Sequence, residues 1–570
     1  MKETKVRKID LSRRHISLLA DKFYNAGNYI SALRFAHREL RDYGGDGEIF
    51  VRLCDIYEAM ELRGSAVKWW FQYLDIAAEE DMPEIYEGLA VNFLHLGNDS
   101  ASAYYYNRLI DVDDTLPEEV KMDIVDAFAT NKKEKFRFVY PPRLADYSKE
   151  VSIGSKLLKT GDCERAVEEL SKVEKGSKQY AQAKEMQAVA LLLSGKADEA
   201  EKACKELLED KPDEVRVLAT LAAVYLEQGR TEESKEIALA LSERKTEDTD
   251  ELYKIATVCC ENELHGRAYE HFCELDRKLP YDGRTLYFKG VSAYKSGHIE
   301  EAERTLDELC SIYPDAEVAR YYLKEIRAYR EGERDAPELI YFYHLPQEER
   351  EKRCRSLIHV GKAPKDEAQI FGLLLLHDGY FRWCFDEMDG GDHDLQYLGL
   401  VTAAHVRADE FIQEILLDCE VLDVLKIETL RLLLERNEEA EVGIVLCNIY
   451  KKVFLPRITV GRKRHRKFVE AYAKLASKFV VVKESYGEKI KTAAEALYNA
   501  LAEYGSLDLV NNTDDCACAI FLLSGIKELG NNPEMIAAAF DANADRVKVL
   551  LSAAVSKEYG IEKEKENEAD

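Results

Sequence analysis

Along most of the chain, apolar side chains return every third or fourth residue between charged ones, and short polar breaks separate the runs. That is the period of amphipathic helices. The breaks are evenly placed. Gly161, Gly195, Gly229 and Gly297 stand 34, 34 and 68 residues apart, with Glu263 in the missing slot. Five residues after each break comes a small side chain: Ala166, Ala200, Ser234, Ala268 and Ala302. Seven residues before each break comes another: Gly154, Ala188, Ala222, Ala256 and Gly290. Pro212, Pro280 and Pro314 fall on the same grid. This predicts five helix pairs starting near 147, 181, 215, 249 and 283, without insertion or deletion. Three more, near 13, 47 and 83, turn at Gly27, Glu61 and Gly97, with Ala32, Ala66 and Ser102 after the turn and Ala20, Cys54 and Ala90 before it.

The residue types follow from the geometry of a helix pair. A glycine takes the left-handed conformation that ends the first helix. Small residues let the second helix cross the first at close range. Proline stops the second helix. The segments LLLSGKADEAEKACKELLEDKPDE (191–214) and KSGHIEEAERTLDELCSIYPDAE (295–317) resemble tetratricopeptide repeats (TPR). The resemblance covers 13–116 and 147–316, with two departures. No unit has the family's early tryptophan, and Leu207, Leu241, Leu275 and Leu309 replace the usual late alanine.

The expected fold is all-α: a TPR-type α-solenoid in two arrays, then a C-terminal all-α helical domain. The boundaries are 1–130 for the first array with a closing helix, 131–146 for a linker marked by Pro141 and Pro142, and 147–336 for the second array with a capping helix over 318–335. The helical domain follows at 337–558 and a charged, disordered tail at 559–570. Within the helical domain, helices are expected at 366–387, 394–418, 420–436, 438–453, 465–481, 486–504, 514–529, 533–542 and 544–558.

The resemblance implies a concave face lined by the first helix of each pair. In the second array this places Val189, Leu192, Leu226, Tyr253, Tyr287, Val291 and Tyr294 in a groove. The set is apolar and tyrosine-bearing, unlike the basic, asparagine-bearing faces that clamp a C-terminal carboxylate, and it suits a protein or peptide partner presenting an apolar segment. An alternative of equal weight is that the chain fills this face itself, and LIYFYHLP (339–346) is apolar enough to do so. The first array's equivalent face, with Asp21, Asp55, Glu58, Glu84 and Glu87, is acidic and reads as a solvated surface.

Composition narrows the classes. A formal net charge of -28 opposes broad nucleic-acid or anionic-membrane binding. No run approaches the roughly 18 apolar residues of a membrane span. The 13 cysteines lack zinc spacing and read as reduced, buried side chains of a cytoplasmic protein. One stretch runs against the charge: 451–469 holds eight lysines and arginines and no acid. Its Arg462, Lys463, Arg464, Arg466 and Lys467 are candidate contacts for an anion or nucleic acid, and 532–551 weakly resembles a helix-turn-helix, with Asp541 at the turn and Arg546 and Lys548 as its cations. These support an alternative, a regulator touching nucleic acid through the C-terminal domain. The loop 385–394 is rich in acids but fails calcium-loop spacing. No catalytic, metal or cofactor motif stands out. The expectation is a non-enzymatic scaffold without cofactors.

Overall fold

A computed structural model describes residues 12–113, 115–129, 147–159, 161–386, 392–460, 465–530 and 532–553. They fall into two compact units: one from Met1–Ala129, Gln347–Phe385 and Gly391–Asp570, the other from Thr130–Pro346 and Asp386–Gly390. The expected linker and the charged tail lie outside the described residues.

Eight helix pairs occupy the grid. In the first unit they are Arg13–Asn25 with Tyr29–Tyr43, Gly47–Ala59 with Arg63–Ile76, and Met82–His95 with Asp99–Val112. In the second unit they are Ser148–Lys159 with Cys163–Leu170, Tyr180–Leu193 with Ala197–Asp210, Val215–Glu227 with Thr231–Ser242, Thr249–Glu261 with His265–Lys278, and Gly283–Lys295 with Ile299–Ile312. All eight turn positions have positive φ, including Glu61 at 61° and Glu263 at 58°, so the backbone keeps the left-handed turn even where the sequence lacks glycine. The small residues after the turns are fully buried. The two small positions of a pair meet: Ser102 donates its hydroxyl to the Ala90 carbonyl at 2.8 Å. At Gly290 a Cβ would lie 2.9 Å from Leu306 Cδ2, so even an alanine would make the leucine shift to keep the second helix this close.

In the first unit the segment expected as a helix over 438–453 is instead a β-hairpin. Strands β1 (Ala440–Leu446) and β2 (Ile449–Leu455) pair antiparallel, Leu446 opposite Ile449. The two-residue turn, Cys447 and Asn448, has φ of 50° and 64°, the left-handed pair of a type I′ turn. Val442, Ile444, Val445, Ile449, Tyr450 and Val453 are β-branched or aromatic and favour the strand. Cys447 is exposed there, against the expectation of buried cysteines. The hairpin fastens the first array to the C-terminal helices. Tyr105 donates to the Asn448 carbonyl (2.9 Å) and accepts the Tyr450 N–H (3.2 Å). Asp75 accepts from the Tyr450 hydroxyl (2.9 Å) and from Gln413 (3.2 Å), which also donates to the Gly443 carbonyl (3.0 Å).

Among the described residues, which end at 553 within the expected helix 544–558, the other C-terminal helices follow the expected pattern apart from shifted ends and three larger differences. Gln347–Lys362 is an additional helix. The run over 394–418 breaks at Arg407 (φ 60°) into His393–Val406 and Asp409–Leu417. The run over 366–387 ends at His377, followed by the short helix Tyr380–Trp383.

The second unit closes with the helix Glu317–Arg330, whose Arg327 pairs with Glu303 (2.9 Å) and Asp307 (2.7 Å) of the preceding pair. Tyr322 and Ile326 of that helix are buried. After six exposed residues, 331–336, the chain runs back over the array as an irregular segment to Pro346.

Candidate functional site

The returning segment alternates with a period of two. Leu339, Tyr343 and Leu345 are buried and Tyr341 half-buried, whereas Phe342 is 71 % exposed and His344 is exposed. The odd positions therefore face the array and the even ones face away. The path is irregular rather than strand-like: residues 341–344 bend, and the His344 N–H donates to the Phe342 carbonyl at 2.8 Å, closing a three-residue turn.

Tyrosines of the array hold the main chain of this segment. The Tyr287 hydroxyl lies 3.1 Å from both the Ile340 and the Phe342 carbonyls, which share its single proton. The Tyr322 hydroxyl donates to the His344 carbonyl at 3.0 Å. Buried carbonyls need such partners, and the array supplies them from side chains because no strand lies alongside.

Two seats receive the inward aromatics. Tyr341 rests among His265 (centroids 5.7 Å apart), Phe288 (6.5 Å) and the Lys295 ammonium, 5.5 Å above its ring, and its hydroxyl meets His265 Nδ1 at 3.0 Å. Burial and then Lys295 push the His265 imidazole below its ordinary value, so it is neutral at pH 7. Tyr343 stands edge-on to Tyr287, centroids 4.7 Å apart. Its hydroxyl donates to Asp386 Oδ2 at 3.0 Å, and the same oxygen accepts the Val318 N–H at 3.0 Å, at the start of the closing helix. Burial, then the Asp386 charge, hold the Tyr343 hydroxyl far above its usual range, so it remains a donor.

The seven residues expected in the groove divide along this face. Tyr287 and Val291 are buried, Tyr287 against the returning segment. Tyr253 and Tyr294 are half-buried, Tyr253 edge-on to Phe272 and Phe288, both with centroids 6.3 Å away. Val189, Leu192 and Leu226 lie on the first helices of two earlier pairs and stay partly exposed. His265, Phe288 and Tyr322 complete the site without a signal of their own in the sequence, and so does Asp386, which the sequence places in an acidic loop expected to be solvated. The one signal for them was the alternation of Leu339, Tyr341, Tyr343 and Leu345, which announces an inward face needing partners.

Of the basic candidates, Arg462, Lys463 and Arg464 lie outside the described residues. Arg466 pairs with Glu470 (2.7 Å) and Lys467 donates to the Asn511 carbonyl (2.6 Å). In the helix-turn-helix-like segment Asp541 does adopt the left-handed turn (φ 53°), but Arg546 faces Asp515 (3.7 Å) and Lys548 faces Asp545 (3.5 Å). In the acidic loop, Asp386 turns inward as described, and Asp392 caps its own helix and pairs with Arg350 (2.7 Å). Glu387 and Asp389 lie outside the described residues, and among those described no three potential ligands gather around a metal position.

The tetratricopeptide repeat family model matches residues 191–257. No curated protein sequence matches the chain significantly. Among solved structures, a tetratricopeptide repeat protein from Parabacteroides merdae is 12% identical over 56% of this chain and 100% of its own, with a TM-score of 0.27. The TPR2AB domain of yeast Sti1, in a complex with pHSP90, is 16% identical over 47% of this chain and 98% of its own, at 0.20. Human IFIT1, a dimer with PPP-AAAA, is 16% identical over 74% and 85%, at 0.27. None of these scores reaches the level of a shared global fold. Eight helix pairs turn left-handed on one grid, and within that grid residues 191–257 are tetratricopeptide repeat sequence.

Proposed function

We propose that the protein is a non-catalytic scaffold that holds a non-helical apolar segment of a partner protein against the first-helix face of its second array. One observation carries this reading: that face already holds an irregular apolar segment, residues 339–345 of the chain itself. A surface that satisfies the main chain of one non-helical peptide with side-chain donors is equipped to receive another. Toward the N-terminal end of the array the same face continues through Val189, Leu192 and Leu226, which remain partly exposed. No described helix is long and apolar enough to cross a membrane. Burial of Cys54, Cys204, Cys259 and Cys260 as small apolar side chains suits a reducing compartment, the cytoplasm.

The test is selection of peptides from a displayed random library against the full chain, followed by Val189→Ser, Leu192→Ser and Leu226→Ser. Binding of apolar peptides that falls at least tenfold in the variants supports the reading. Peptides that bind equally well to the variants and to a Tyr287→Phe/Tyr322→Phe chain place recognition elsewhere and refute it.

A further inference from the structure

We infer that residues 339–345 occupy the site in place of a partner whose own segment has the same chemistry: non-helical, tyrosines at two alternate positions, an aliphatic residue on either side, and bound by displacing them. This rests on the scaffold reading above and names its ligand class.

The contacts divide into a general and a selective set. The Tyr287 and Tyr322 hydroxyls donate to main-chain carbonyls, those of Ile340, Phe342 and His344. Every peptide has carbonyls, so these donors fix the path of the chain without reading its sequence. Selectivity comes from the two aromatic seats. Each contains a polar group at the depth of the tyrosine hydroxyl, His265 Nδ1 in one and Asp386 Oδ2 in the other. A phenylalanine would fill the space but leave the seat short of a hydrogen-bonding partner, a cost a tyrosine avoids. Leu339 and Leu345, both buried, bracket the pair.

The occupant is also placed to leave. It belongs to no helix or sheet, its outward Phe342 is 71 % exposed, and it is tethered by the exposed residues 331–336. A tethered segment competes at an effective concentration in the millimolar range, so a free peptide must overcome that advantage before it binds. Affinity in the native chain is therefore set by how often the segment is out of its seats.

The test uses a fluorescein-labelled peptide, PELIYFYHLPQ (the sequence of 337–347), titrated with the full chain and followed by fluorescence anisotropy. The releasing variant Leu339→Ser/Leu345→Ser changes only the occupant, and Leu345→Ser alone serves if the double change costs the fold. Circular dichroism checks helicity in each. The inference expects the releasing variant to bind the peptide at least tenfold tighter than the native chain. It also expects a peptide carrying Tyr341→Phe and Tyr343→Phe to lose at least tenfold. A folded releasing variant that binds no better than the native chain overturns the inference, as does equal binding of the phenylalanine peptide. Peptides selected on Val189, Leu192 and Leu226 that bind native and releasing chains alike overturn it while leaving the scaffold reading standing. If no peptide of any kind binds either chain, both fall.

Discussion

Replacing Gly443 by alanine attacks the joint between the first array and the C-terminal helices. A Cβ at this position would lie 1.9 Å from Asp75 Oδ1 and 2.9 Å from Tyr450 Cε2, distances that no side-chain wobble absorbs while Asp75 stays in place. Asp75 must withdraw and give up the Tyr450 hydroxyl and Gln413, or the hairpin must lift away. Hydrogen bonds to a charged group are worth about 1.5–3 kcal/mol each, part of which water restores. Overpacking adds about 1–3 kcal/mol. A net penalty of about 3 kcal/mol on the docked hairpin raises the open population about a hundredfold. A chain of two units need not unfold in one step, so a local readout is required. In hydrogen exchange by mass spectrometry, peptides covering Ala440–Leu446 and Ile449–Leu455 should exchange on the order of a hundredfold faster. Peptides from Thr249–Glu261, in the other unit, should be unchanged. Asp75→Ala added to Gly443→Ala removes the clashing carboxylate, so the pair should cost less than the sum of the two changes. Hairpin exchange at the native rate in Gly443→Ala, or strict additivity in the pair, would refute the proposed contact.

Other perturbations test the repeats. Ser234 occupies the small position of its pair, fully buried, and its hydroxyl has no hydrogen-bond partner among the described residues. Ser234→Ala should therefore raise the melting temperature of the second unit, worth about 1 kcal/mol; a loss of stability would mean the hydroxyl is satisfied. Asp55 lies on the first-helix face of the first array, where burial, then Glu58 and Glu84, push its carboxyl up to about 6. Folding favours its protonated form, so this stabilisation is full below its unfolded value near 4 and is lost as the pH rises through about 6. Asp55→Asn should accordingly stabilise the first unit at pH 7.5 and leave it unchanged at pH 4, in thermal melts at both. An equal gain at both values contradicts the charge argument.

The repeat grid was legible because it is written in backbone demands. Positive φ at each turn and fully buried small residues on either side constrain residue type whatever the partner. The hairpin was not. Apolar residues at Val442, Val445, Ile449 and Val453 satisfy a helical period as well as a strand one, and the turn is Cys447–Asn448 rather than an Asn-Gly or Asp-Gly pair. Asp75 and Tyr105, more than three hundred residues away, hold the strand form in place. The candidate site was half legible. Repeat register places Tyr287 and Val291 on the inner face, and the apolar run 339–346 stands out. The partners Asp386 and Tyr322 come from a loop that reads as solvated acid and from a helix that reads as a polar cap, and only the path of the returning chain makes them part of the site.

Residues 339–345 are the occupant of the second array's inner face, and everything proposed for that face depends on their lying there. A double-mutant cycle between Tyr287 and Tyr343, each changed to leucine singly and together and read locally from the hydrogen-exchange stability of peptides covering Gly283–Lys295, tests this directly. Rings with centroids 4.7 Å apart and edge-on should show a coupling of about 0.5–1.5 kcal/mol. Additive effects, with a coupling below about 0.3 kcal/mol, would mean the two tyrosines do not meet and the segment lies elsewhere.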